Sequence, residues 1–112
     1  MSDRAVVVRT DKSAETLAAD TNGTAWLCAR YTQARVYATV SSITGDETLD
    51  LTIQTSYDDS TFYTHTAMTQ LTASVLATTA GVSNLGKYIR INYNIGGTTP
   101  SVVVTVKIVF KT

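Results

Sequence analysis

The chain is poor in the residues that most chemistry requires. It has one cysteine, Cys28, and one histidine, His65. A single cysteine excludes an internal disulfide and any zinc site built on thiolates. A single histidine excludes every arrangement that needs two. Proline is represented by Pro100 alone, and glutamate by Glu15 and Glu47. Charged residues make up 16% of the sequence, against about a quarter in an average domain. Nine basic and nine acidic side chains cancel to a formal net charge of zero, which removes long-range steering toward nucleic acid or an anionic membrane. The run Ala5 to Val8 near the start is too short for a signal h-region, and no stretch approaches the roughly 18 apolar residues of a membrane helix. Synthesis and folding in the cytosol are expected, and the unpaired Cys28 suits that compartment.

What is present points one way. The 112 residues are enough for one domain, and the 44% hydrophobic content is enough for its core. Threonine occurs 21 times, valine 12 and isoleucine 6, so about a third of the chain is β-branched. Such side chains lose rotamer freedom in a helix but pack well on a pleated surface. Many threonines also let a strand present a polar face without charge. The composition predicts an all-β protein.

The periodicity supplies the elements. Arg4 to Thr10 reads as a strand, followed by a turn at Thr10–Ser13 and a weaker strand from Glu15 to Ala19. Asp20-Thr21-Asn22-Gly23 reads as a turn, because Asn-Gly tolerates positive φ. Thr24 to Tyr31 carries Trp26 and Cys28 on one face. Ala34 to Ile43 alternates with Val36, Ala38 and Val40 inward. Thr48 to Tyr57 alternates almost perfectly, with Leu49, Leu51 and Ile53 opposite Asp50, Thr52 and Gln54. Residues 57–61 close a hairpin into Phe62–Met68. A short strand is expected near Val75–Thr78, or a short helix, with a loop from Gly81 to Gly86. Ile89, Ile91, Tyr93 and Ile95 line one strand, and Val102, Val104, Val106, Ile108 and Phe110 line the last. These two are expected to pair as a hairpin about Gly96-Gly97. Seven to nine short strands with turns every eight to twelve residues predict an antiparallel two-sheet β-sandwich, jelly-roll or Ig-like. Residues 1–13 form an N-terminal strand or arm, and residues 14–112 the sandwich domain.

Reactive groups are few. A nucleophilic Cys28–His65 pair needs a third group to orient the imidazole, and Cys28 sits in an apolar strand where cysteine is usually inert. No Gly-x-Ser-x-Gly elbow is present. Asp58-Asp59 and Asp46-Glu47 lie in turns, where carboxylates cap backbone amides. Calcium needs six to eight converging oxygens. Gly96-Gly97-Thr98-Thr99 precedes a strand rather than the helix a phosphate cradle requires. No catalytic residue, cofactor or metal is expected. Tyr37, Tyr88, Arg35, Arg90 and Lys107 fall on outward faces and suit either an interface or ordinary cross-strand pairing.

Three stretches carry a resemblance. They are Leu49-Asp50-Leu51-Thr52-Ile53-Gln54-Thr55-Ser56-Tyr57-Asp58-Asp59-Ser60-Thr61-Phe62-Tyr63, Leu85-Gly86-Lys87-Tyr88-Ile89-Arg90-Ile91-Asn92-Tyr93, and Gly97-Thr98-Thr99-Pro100-Ser101-Val102. Together, over roughly residues 34–110, they resemble small tailed-bacteriophage head decoration, or cement, proteins. In that group a strand L-x-V-x-I-Q-x-S-x-D leads to a turn and an aromatic residue. An L-G-x-Y-x-R strand and a G-T-x-P turn follow. This chain has Asp58-Asp59 where many of that group have Asp-Gly. The resemblance implies a β-sandwich on the capsid exterior of the virion, contacting the major capsid protein and itself as a homotrimer, with no nucleic acid, membrane or catalysis. Interface candidates are Arg4, Arg9, Arg35, Tyr37, Tyr88 and Arg90, and the N-terminal arm is a further one. The alternative is a carbohydrate-binding module using the exposed tyrosines and the Asp58-Asp59 turn.

Overall fold

The computed structural model describes residues 6–43, 45–98 and 100–112. Nine strands form two antiparallel sheets, and no helix occurs among the described residues. The strands are β1 (Val6–Leu17), β2 (Thr21–Asn22), β3 (Trp26–Leu27), β4 (Gln33–Val40), β5 (Thr48–Ser56), β6 (Tyr63–Ala67), β7 (Ala77–Ser83), β8 (Tyr88–Gly96) and β9 (Val102–Lys111). Sheet A has the order β1-β9-β4-β7. Sheet B has the order β2-β8-β5-β6, with β3 following β2 along the same edge of β8. The all-β two-sheet sandwich that composition predicts is the fold observed.

The core sits between the central strands. β9 buries Val102, Val104, Val106, Ile108 and Phe110, and β4 buries Ala34, Val36, Ala38 and Val40. Facing them are Leu49, Leu51 and Ile53 from β5 and Ile89, Ile91 and Tyr93 from β8. Period-two alternation puts each set on one side of its sheet, as strand geometry requires. Within sheet A, Ala34 lies beside Phe110 and Ala38 beside Val106, so small and large residues alternate across the register. That arrangement lets the Phe110 ring fill the layer without overpacking.

Several local expectations are corrected. β8 and β9 do not form a hairpin, because β8 pairs with β5 in one sheet and β9 with β1 and β4 in the other. Both strands present strong inner faces, and two such faces bury more by packing against each other than by lying side by side. Gly97, at φ 126°, turns the chain from one sheet to the other. The backbone and hydroxyl of Thr98 donate to the Asp46 carboxylate there, fixing that crossing against the β4–β5 turn. Thr10–Ser13 is not a turn. β1 runs through it with register shifts at Thr10/Lys12 and Lys12/Glu15, which mark bulges. Of the segment Thr24–Tyr31 only Trp26–Leu27 is strand, and β7 extends through Gly81 to Ser83 where a loop is expected. Residues 6–13 of the N-terminal arm segment are the first part of β1, paired with β9 of the same chain.

Gly23 is also reassigned. It follows β2 on the edge of sheet B, and its N–H donates to the Ile91 carbonyl at 2.7 Å. A Cβ at this position would collide with the Asp11 carboxylate. Glycine is required there by close approach, not by a positive φ. Asp11 crosses from the bulge of β1 to accept the Tyr93 hydroxyl at 2.5 Å and the Thr24 amide at 2.9 Å. Those bonds tie the edge of sheet A to the middle of sheet B.

Candidate functional site

The reactive groups have structural employment. Cys28 is fully buried, with Sγ 3.7 Å from the Gly86 carbonyl, and burial pushes its thiol from 9.0 up to about 11. His65 lies on edge strand β6. Its Nε2 is 2.6 Å from the Ser83 carbonyl and its Nδ1 is 2.7 Å from the Thr66 hydroxyl. A carbonyl can only accept, so Nε2 carries a proton, and in the neutral ring Nδ1 accepts from Thr66. His65 thereby links the edge of sheet B to the end of β7 in sheet A.

The carboxylates hold turns and edges. Asp58 accepts the amides of Ser60 and Thr61 at 3.0 and 2.9 Å, and these bonds hold its carboxyl below the usual range. The hydroxyl and amide of Thr98 do the same for Asp46. Asp50 accepts the Gln70 amide at 3.0 Å, and Asp20 accepts the Ile95 backbone N–H at 2.8 Å. Among the described residues no three His, Cys, Asp or Glu side chains gather as a metal site.

The two outer faces differ sharply. On sheet B the polar side chains are spent on one another. Asn92 donates to Asn22 at 2.8 Å, and Arg90 Nε donates to Gln54 at 2.7 Å. The Arg90 guanidinium also lies 3.8 Å from the centroid of the Phe62 ring. On sheet A the register brings Arg35, Val109 and Val8 into one row, and Tyr37, Lys107 and Thr10 into the next. Gln33, Lys111 and Val6 make a third. No carboxylate side chain belongs to these rows. Among the described residues Lys107, Lys111 and Gln33 make no side-chain hydrogen bond or ion pair, and Val8 and Tyr37 are 56% and 48% exposed. Arg35 lies flat over Gly81, donating to Thr79 at 3.3 Å, where a Cβ on residue 81 would meet the guanidinium. A shallow groove of about 310 Å³ runs beside it, lined by Gln33, Gly81, Ser83 and Lys111.

The sequence-derived candidates divide accordingly. Arg35 and Tyr37 share the outer face of sheet A with Lys107. Tyr88 and Arg90 lie on sheet B, on the opposite side of the sandwich, so the six candidates do not form one surface. Alternation along a strand tells inward from outward, but not which of two sheets the strand joins. For the same reason Tyr37 and Tyr88 cannot share a glycan-stacking platform. Arg9 is exposed at the edge of the sandwich, on the side of β1 that pairs with Ile108, its guanidinium 5.8 Å from the Trp26 ring centroid. Arg4 lies outside the described residues. Sequence reasoning missed Lys111 and Val109 and held Val8 only as part of the N-terminal arm; their place together on the sheet A face emerges only from the pairing of β9 with both β1 and β4.

No family model matches this chain, and no curated protein matches it. A solved structure that does is the crystal structure of SPBc2 prophage-derived protein YomS, with a TM-score of 0.65 and 9% sequence identity. The match covers 100% of this chain and 97% of that one. At that identity the likeness is one of fold, and it spans both sheets.

Proposed function

We propose that this chain is a structural protein of a tailed-phage virion, binding the outer surface of the head as a decoration protein through the outer face of sheet A. The observation that carries this reading is the contrast between the two faces. Sheet B satisfies its own polar groups, whereas sheet A presents Arg35, Lys107 and Lys111 beside Tyr37, Val8 and Val109 with no carboxylate among them. Cations with no carboxylate partner among the described residues, set on a flat, partly apolar surface, suit an acidic protein partner. Likeness in fold to a prophage-derived protein and the resemblance of residues 34–110 to head decoration proteins support the same reading. The role requires adhesion, not turnover. Many copies on a shell add avidity, so each contact can be modest. In this reading the copies also meet one another as homotrimers, which light scattering on the purified protein measures.

The test is co-sedimentation with undecorated heads. The wild-type protein is expected to pellet with heads and to release as salt rises. Arg35→Glu combined with Lys107→Glu should weaken binding at least about tenfold at low salt, since both reversals face the partner. Lys87→Glu, away from this face, should bind as wild type. Equal binding by the double variant and wild type would overturn the assignment of this face.

A further inference from the structure

A second surface feature lies where the edges of the two sheets meet. Arg9 of β1, Trp26 and Leu27 of β3, Arg30 and Tyr31 of the following turn, and Phe110 of β9 enclose a cleft of about 630 Å³. That volume falls inside the range of about 300–1,000 Å³ usual for ligand sites. The Arg9 guanidinium stands 5.8 Å from the Trp26 ring centroid and that of Arg30 stands 5.5 Å from Tyr31. Tyr31 in turn packs on Phe110 at 5.3 Å. No carboxylate side chain lines the cleft, and neither arginine makes an ion pair among the described residues. Leu27, 61% exposed, forms part of the rim.

These groups have a definite chemistry. A guanidinium lying against a ring is steadied through its face, while its N–H donors lie in its plane and can grip a carboxylate with two parallel bonds. The aromatic floor gains by covering apolar groups. Tryptophan, tyrosine and arginine are also the residues that dominate binding energy in protein interfaces. We propose that the cleft binds an acidic, apolar-flanked peptide segment of a partner protein, with carboxylates held by Arg9 and Arg30 and apolar side chains resting on Trp26 and Tyr31. Charge complementarity selects this occupant: two unpaired cations over an apolar floor favour a carboxylate set among aliphatic residues over a neutral or basic segment. The inference does not depend on attachment to heads, because the cleft lies off the outer face of sheet A.

Trp26 is the only tryptophan, so its fluorescence reports on the cleft directly. The probe is a blocked peptide alternating leucine with glutamate, compared with the same peptide carrying glutamine. The acidic peptide should give a saturable change in Trp26 emission that weakens with salt, and the glutamine peptide should bind at least about tenfold more weakly. Arg30→Gln and Arg9→Gln should each lose a similar factor while their circular dichroism and melting temperature match wild type. Three results would each overturn the proposal. They are no saturable change up to millimolar peptide, equal binding of the glutamine peptide, and inorganic phosphate competing as strongly as the acidic peptide. The assay contains no phage heads, so its outcome is separate from that of co-sedimentation.

Discussion

At the scale of single residues, the Asp11–Tyr93–Gly23 cluster shows how one tie fixes several identities. Tyr93 is fully buried, and its hydroxyl is satisfied only because Asp11 reaches across from β1. Asp11 reaches it only because residue 23 has no Cβ. Gly23→Ala should displace Asp11 and strand the Tyr93 hydroxyl, at a cost of about 1–3 kcal/mol. Asp11→Ala should cost a similar amount, and the two should be far from additive in denaturant titrations, because either change breaks the same contact. Additive losses would show the contact to be incidental. Cys28 offers a separate test. Burial raises its thiol from 9.0 to about 11, so the neutral form is favoured in the fold. The stability this contributes is complete below pH 9.0 and is lost as pH rises toward about 11. Burial also pushes the Tyr93 phenol well above its ordinary range, with Asp11 adding to the shift, so its contribution too is present below the ordinary phenol value and fades above it. At mildly alkaline pH the native thiol should therefore be silent to a thiol reagent and should react stoichiometrically once denaturant is added. Rapid labelling of the native protein would contradict the buried placement.

At the scale of elements, the turn from β5 to β6 is the most legible in the sequence and the easiest to improve. Ser56, Asp58 and the amides of Ser60 and Thr61 form its hydrogen-bonded frame. Asp59 sits at φ 61°, in the left-handed region that glycine enters without cost. Asp59→Gly should raise the melting temperature slightly, and Asp59→Val should lower it by the equivalent of about 1–2 kcal/mol. Reversal of that order in thermal melts would remove the backbone explanation. The strands themselves were readable because Leu49, Leu51, Ile53 and the β9 valines alternate without interruption. Sheet membership was not readable. Ile91 and Val104 look alike in sequence, and only the packing of one inner face on the other assigns them to different sheets. β1 reads as two pieces in the sequence because bulges at Lys12 and Glu15 break the alternation that identifies a strand. β7 reads short in the sequence because Gly81, needed beneath Arg35, looks like a loop residue.

At the scale of the whole molecule, a formal charge of zero conceals a division of labour. The slab is 50 × 31 × 19 Å, and its two broad faces carry different chemistry. The outer face of sheet A gathers Arg35, Lys107 and Lys111, none ion-paired among the described residues, whereas Asp20, Asp46 and Asp50 belong to sheet B and its turns. Net charge therefore excludes a uniformly basic protein but says nothing about one basic side. The candidate surfaces were only partly legible for this reason: Arg35, Tyr37 and Arg9 were visible as exposed residues, but their grouping waited on topology. The placement of β9 between β1 and β4 has a further consequence, for biosynthesis. The valine-rich β1 leaves the ribosome early and has no strand to join until Val102–Lys111 emerges. Until then the inner face of sheet B lacks most of its cover, since β4 and β7 alone make a narrow ribbon. Folding of this sandwich thus closes in one late step, once β9 has been made, and the apolar segment Val6–Val8 stays without its partner strand until then.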